Sequence, residues 1–233
     1  MVFAILRMMV LIKYLGHAGF EISFGDLKFL IDPFSGDMIN GEKRLTENFF
    51  EPSLVRSADG ILVTHEHPAH CDAPAVKEVA ERTYAHVIAP RPCLALIGVS
   101  DRLKIDVRTG DKFNVKGVDI EVVKAVHPQS VYPVGYILSK DGMRVYHAGD
   151  TYQYVGMAGN KCDAALLPIG GVYTMDPFAA ASACNEIKPK YVIPMHYNTH
   201  ARIEQDAREF SDDVRNGKPV VLKPGQSVNL NRQ

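Results

Sequence analysis

Short apolar runs closed by Gly, Asp or Pro recur along this chain more often than helical stretches do. Leu11–Leu15, Phe20–Phe24 and Lys28–Ile31 have strand length, β-branched or aromatic content and turn boundaries, with Gly25-Asp26 between the last two. They predict an antiparallel meander, and the apolar stretch Met1–Ile12 leads into its first strand. Gly60–Thr64 (GILVT) is a continuous apolar run, as expected of a strand covered on both faces. At Asp72–Arg82 the pattern switches to helical spacing. Ala75, Val76, Val79 and Ala80 share a face, Asp72 is the N-cap and Pro74 lies in the first turn. Further strands are predicted at His86–Ala89, Val118–Ala125, Val134–Ser139, Arg144–His147, Ala164–Pro168, Tyr191–Pro194 and Pro219–Leu222. Helices are predicted at Pro92–Val99, Pro177–Ile187 and Ile203–Val214.

Both halves run in the same order, a meander first and strand–loop–helix units after it. That order predicts an α/β fold with two facing sheets and helices outside, a four-layer αββα sandwich. No linker or composition break divides it, so residues 1–233 read as a single domain.

Composition narrows the function classes. With 46% hydrophobic and 23% charged residues the chain is globular rather than disordered. Twenty-six basic against twenty-seven acidic residues give a net charge of −1. That balance removes the global electrostatic case for a nucleic-acid or membrane-surface partner. No stretch reaches bilayer length, and Met1–Ile12 lacks the basic start and cleavage site of a signal peptide. The four cysteines are far apart with no CxxC pair, which suits buried thiols in a reducing, cytoplasmic compartment. A small-molecule partner remains the expectation, and an apolar rim would suit a symmetric homo-oligomer.

The nine histidines carry the chemistry. Three lie in Thr64-His65-Glu66-His67-Pro68-Ala69-His70-Cys71-Asp72, between a buried strand and a helix. This is not the helical His-Glu-x-x-His of metalloproteases, because the spacing and the preceding strand differ. His127, Asp150 and His196 each follow a predicted strand. Together these make five His and one Asp at strand ends, a ligand set for two metals sharing a carboxylate.

The matching stretches are Leu15-Gly16-His17-Ala18-Gly19-Phe20, Leu30-Ile31-Asp32-Pro33-Phe34, His65 to Asp72, His127-Pro128, His147-Ala148-Gly149-Asp150-Thr151, Leu167-Pro168-Ile169-Gly170-Gly171 and Pro194-Met195-His196-Tyr197. On them the chain resembles metallo-β-lactamase-fold hydrolases over nearly its whole length. More narrowly, it resembles the branch of metal-dependent hydrolases related to ascorbate-6-phosphate lactonase. The resemblance implies a metal centre on the edge of the sandwich. His65, His67 and His127 would hold one metal and His70 and His196 a second, with Asp150 bridging both and serving in catalysis. Asp32, with Asp72 nearby, would support the ligands from behind. It also implies zinc, as one or two ions, with Mn2+, Fe2+ or Ni2+ as alternatives. The activity implied is hydrolysis of a small ester, lactone or phosphodiester by a metal-activated hydroxide. His17, in a Gly-flanked turn, would face the substrate or support a ligand.

One position departs from the pattern. The family's loop reads His-x-His-x-Asp-His, with the Asp on the second metal, and here that position is Ala69. A methyl group cannot coordinate, so the expectation is a weakened second site and a protein holding one metal. Alternatively Glu66, Asp72 or a water fills the gap. In a different class of function, the chain is a disabled homologue that binds metal or ligand without turnover, or an engineered inactive variant. His86, His147 and His200 take packing or rim roles, and Tyr132, Tyr152, Tyr173 and Tyr197 are candidate pocket walls.

Overall fold

The computed structural model describes residues 9–39 and 41–231, so the predicted lead-in at Met1–Met8 lies outside the described residues. The first half contains β1 (Met9–Gly16), β2 (Gly19–Phe24), β3 (Leu27–Ile31), the small hairpin β4 (Met38–Ile39) and β5 (Glu42–Lys43), β6 (Gly60–Leu62), α1 (Ala73–Thr83), β7 (His86–Ala89), α2 (Arg91–Leu96) and β8 (Lys104–Asp106). The second contains β9 (Lys112–Val115), β10 (Val118–Lys124), β11 (Val134–Lys140), β12 (Met143–His147), β13 (Ala164–Pro168), α3 (Pro177–Ile187), β14 (Tyr191–Met195), α4 (Ala207–Asp213) and β15 (Lys218–Pro219). The closing strand, β16 (Ser227–Asn231), returns to the first sheet.

Two seven-stranded sheets result, in the orders β16-β1-β2-β3-β6-β7-β8 and β15-β14-β13-β12-β11-β10-β9. Each opens as an antiparallel meander and continues as parallel strands, with the crossovers carrying helices. The sequence-predicted αββα sandwich is therefore the observed fold.

The two-residue period of the strands sorts their side chains between two cores. Val10, Ile12, Phe20, Ile22, Phe29, Ile31, Leu62 and Ile88 point inward to the other sheet, joining Val122, Tyr136, Leu138, Val145 and Leu166. The alternate positions Leu30, Ile61, Val63, Val87 and Ala89 point outward and pack with Val76, Val79 and Ala80 of α1. Gly60–Thr64 is covered on both faces as its unbroken apolar run requires, although ladder pairing stops at Leu62.

Five elements stand out as different from the sequence reading. The predicted helix Ile203–Val214 divides into a 3-10 turn at Ala201–Ile203 and α4, which starts only at Ala207 because Asp206 caps it. The predicted strand Pro219–Leu222 pairs over Lys218–Pro219 alone. The strands Lys104–Asp106, Lys112–Val115 and Ser227–Asn231 lie at sheet edges, where one apolar face and few β-branched residues leave little local signal. Among the described residues no helix is long and apolar enough to cross a membrane.

Candidate metal centre

Strand direction gathers the histidines. β1, β3 and β6 run the same way in the first sheet, and β10, β12, β13 and β14 do so in the second. The turns after them carry His17, Asp32, the His65–His70 loop, His127, Asp150, Gly170 and His196. The sequence-predicted ligands meet at this edge of the sandwich.

His65 Nε2 lies 3.1 Å from His67 Nδ1, which is 3.3 Å from His127 Nε2. The opposite nitrogen of each ring faces an oxygen. His127 Nδ1 donates to the Tyr173 carbonyl at 3.0 Å, and His67 Nε2 to the Gln129 carbonyl at 3.2 Å. His65 Nδ1 is 3.0 Å from Thr64 Oγ1, whose own proton goes to Asp32 Oδ2 at 2.6 Å. With each ring proton placed on the outer nitrogen, three lone pairs converge and no donor serves them among the described residues. A cation reconciles such a cluster, and the outer acceptors fix ring orientation as they do around metal ligands.

Beside it, Asp150 Oδ2 is 3.3 Å from His70 Nε2, 3.2 Å from His196 Nε2 and 3.8 Å from His65 Nε2. Its Oδ1 is buried without a hydrogen-bond partner among the described residues. His70 is gripped from behind by Asp32, with Nδ1 donating to Oδ2 at 2.8 Å. Asp32 also accepts from the Thr64 N–H at 2.8 Å, so one carboxylate positions both ends of the histidine loop. Two groups of three histidines are each close enough to share an ion, His65/His67/His127 and His17/His70/His196. The donors present fit a metal centre.

Proton placement follows from burial and neighbours. Burial holds His17 and His65 well below the usual imidazole range, helped by His196 and then His70 at His17 and by His70 at His65, so both are neutral. Burial acts the same way on His70, but Asp150 and Asp32 outweigh it and push its pKa up to about 10. Asp150 would rise on burial, yet His196 and His70 hold it well below the carboxylate range.

The backbone is strained here. His17 (φ 56), Asp32 (φ 45), Tyr173 (φ 64) and His196 (φ 57) all adopt left-handed conformations, which non-glycine residues keep only when the surroundings enforce them. The His17 carbonyl accepts from the His196 N–H at 2.7 Å and from Tyr14 Oη at 2.9 Å, which locks two of these turns together. Gly170 completes the fit. A Cβ there would lie 2.4 Å from the His196 carbonyl and 2.9 Å from its Nδ1. Gly170→Ala is expected to lower stability by about 1–3 kcal/mol through overpacking and to displace His196, read as a lower melting temperature together with weaker metal retention.

Several sequence expectations resolve differently. Asp72 does not support a histidine. Its oxygens accept from Ala75 N–H at 3.1 Å, as helix cap, and from Ser35 N–H and Oγ at 2.9 and 2.7 Å. Glu66 accepts from Val131 N–H and Ser130 Oγ, anchoring the loop that presents Gln129. Neither carboxylate turns to Ala69, which packs with Phe34 and Ile39 in a small apolar cluster. His147 is structural, with Nε2 donating to the Ala18 carbonyl and Nδ1 accepting from Gly149 N–H. Of the four tyrosines, Tyr173 lines the cavity above the cluster, while Tyr132, Tyr152 and Tyr197 do not. His200, buried beside Glu42, also lines this cavity.

Sequence reasoning missed Thr64, Thr199, Gln129 and Arg202. Thr64 directly precedes the histidine loop, and that adjacency was the available signal. The others are set by contacts across the fold, such as Thr199 Oγ1 at 2.6 Å from His17 Nδ1. The cavity holds about 350 Å³, with His67, His70, Asp150 and His196 along it and Tyr173 and Arg202 on its wall.

A family model described as "Beta-lactamase superfamily domain" matches residues 11–196. The chain is 40% identical to a UPF0173 metal-dependent hydrolase of Pyrococcus furiosus over 238 residues, 95% of this chain and 100% of that protein. It is also 40% identical to one of Thermococcus kodakarensis over 236 residues, 95% of this chain and 100% of that protein. Among solved structures, Igni18, a metallo hydrolase from Ignicoccus hospitalis, superposes with a TM-score of 0.81 at 30% identity, covering 97% of this chain and 100% of Igni18.

Proposed function

The chain belongs to the metallo-β-lactamase superfamily, and from that premise we propose that it is a metal-dependent hydrolase of a small ester, lactone or phosphodiester. The observation that carries the reading is the convergence of His65 Nε2, His67 Nδ1 and His127 Nε2, donor-free lone pairs beside the buried Asp150 carboxylate. His65, His67 and His127 would hold one metal with Asp150, and His70 and His196 lie on the other contacts of the same carboxylate. A nitrogen-rich set with one carboxylate favours zinc, with Fe2+, Ni2+ or Mn2+ as weaker candidates. When bound, such a metal lowers the pKa of water and polarises the carbonyl or phosphoryl group.

The chain's own residues supply the rest. Asp150 Oδ1, without a hydrogen-bond partner among the described residues, is the carboxylate oxygen left to accept a hydrogen bond or face a cation at the floor of the cavity. Arg202, held by Glu42, presents a cation at the rim to an anionic part of the substrate. Ala69 and Tyr173 give the cavity apolar and aromatic wall. A volume of about 350 Å³ is at the small end for ligand sites, which favours a small molecule over a polymer. The resemblance of its motifs to those of ascorbate-6-phosphate lactonase relatives is the reason to include lactones among the first substrates tested. Four free cysteines support a reducing, cytoplasmic setting.

The test is metal content of the purified protein together with turnover of aryl ester, lactone and phosphodiester panels, before and after chelation. Metal-dependent hydrolysis that chelation abolishes and added Zn2+ restores is the expected result. Protein that neither retains nor takes up metal overturns the proposal. Metal binding without turnover, with activity gained on Ala69→Asp, identifies a disabled homologue instead.

A further inference from the structure

The substitution at Ala69 removes a carboxylate, yet the second metal position is not short of donors. His17 is 1% exposed, and its ring centroid is 4.2 Å from that of His196 and 5.2 Å from that of His70. Each of the three rings has a nitrogen within 4.8 Å of the other two. Thr199 Oγ1 takes up His17 Nδ1 at 2.6 Å, so Nε2 is the nitrogen left to face the cavity, with no partner among the described residues. The Thr199 contact and the doubly accepted His17 carbonyl hold the imidazole in place. A histidine serving only the β1–β2 turn would not need its ring buried against two others that contact Asp150.

We propose that His17 is a ligand of a second metal, joining His70 and His196 with Asp150 shared, so that this chain holds two metals through three histidines each rather than one. The inference rests on the metal-centre reading above. It reverses the expectation that Ala69 leaves the protein mononuclear. Ala69 is not a gap in the ligand set but part of the apolar cluster with Phe34 and Ile39. Exchanging an anionic oxygen for a neutral nitrogen also changes selectivity. Nitrogen donors favour Zn2+, Co2+ or Ni2+, and Mn2+, which prefers oxygen, should fill the second position poorly.

The test is titration of the chelated full-length protein with Co2+, following the visible spectrum and bound cobalt per chain. Wild type is expected to take up about two ions, and His17→Ala about one, with the spectrum of the first ion unchanged. The double variant His17→Ala/Ala69→Asp should return to about two, which shows that the remaining ligands are folded in place. Loss of both ions in His17→Ala, or of neither, overturns the assignment. Wild type that binds only one ion also overturns it and leaves the proposed function standing. Wild type that binds none overturns that reading as well.

Discussion

Asp150→Asn is expected to weaken metal binding about 10²–10³-fold and to reduce hydrolysis by at least as much. The Asp150 carboxylate is buried and reaches histidine nitrogens of both clusters, at 3.8 Å for His65, 3.3 Å for His70 and 3.2 Å for His196. Asn keeps the volume and one accepting oxygen, so the variant removes charge with little change of shape. Breaking a buried, hydrogen-bonded charge pair costs about 3–5 kcal/mol, which sets the scale of the loss. Asp32→Asn is the internal control, because that carboxylate touches His70 and Thr64 from behind and not the cavity. Changes at such supporting groups typically cost about 10–100-fold. Competition titrations against a metal indicator and turnover rates measure both variants. An Asp150→Asn protein with metal affinity within about threefold of wild type would show that the carboxylate is not at the centre.

Which parts of this were readable before the fold depends on how local their cause is. The length, composition and turn bounds of Phe20–Phe24 and Lys28–Ile31 are properties of neighbouring residues, so these strands were legible, and in the fold their alternate side chains sort between the two cores. The histidine loop was equally legible, because three imidazoles within His65–His70 demand partners wherever the loop goes. Asp32 could be placed behind the loop only through the family motif, and the structure adds why: it is the acceptor for both Thr64 and His70. What stayed hidden is set by tertiary contact. Asp72 and Glu66 looked like spare carboxylates in a linear motif, but backbone N–H groups at Ser35, Ala75 and Val131 engage them. His17 and Thr199 are 182 residues apart, and no local pattern announces their 2.6 Å contact. The strand Ser227–Asn231 likewise pairs with Met9–Lys13 across the length of the chain, so its sheet could not be read from its own residues.

The same buried imidazoles predict how the metal-stripped protein responds to pH. His17 and His65 are fully buried with pKa values well below the ordinary 6.5, so the folded state binds fewer protons than the unfolded chain on acidification. Each therefore removes about 1.4 kcal/mol of stability per pH unit below 6.5, until its own folded value is reached. His127 and His147 are lowered in the same direction and steepen the loss. His70 has the opposite sign. Raised to about 10, it contributes stability that is complete below 6.5 and disappears as pH rises from 6.5 to about 10. Asp150, depressed by His196 and His70, contributes at every pH above 3.8 and so adds no slope in this range. The chelated protein should consequently be most stable near pH 6.5. From there it should lose stability steadily on acidification, with His17 and His65 acting together, and should weaken more gently toward about pH 9. Folded proteins are only marginally stable, so acid unfolding should come early. Urea unfolding across this pH series in the presence of chelator measures it directly. Stability that holds level or rises between about pH 6.5 and about pH 5 would mean that His17 and His65 accept protons in the folded protein, which is incompatible with the buried, lone-pair-bearing rings described above.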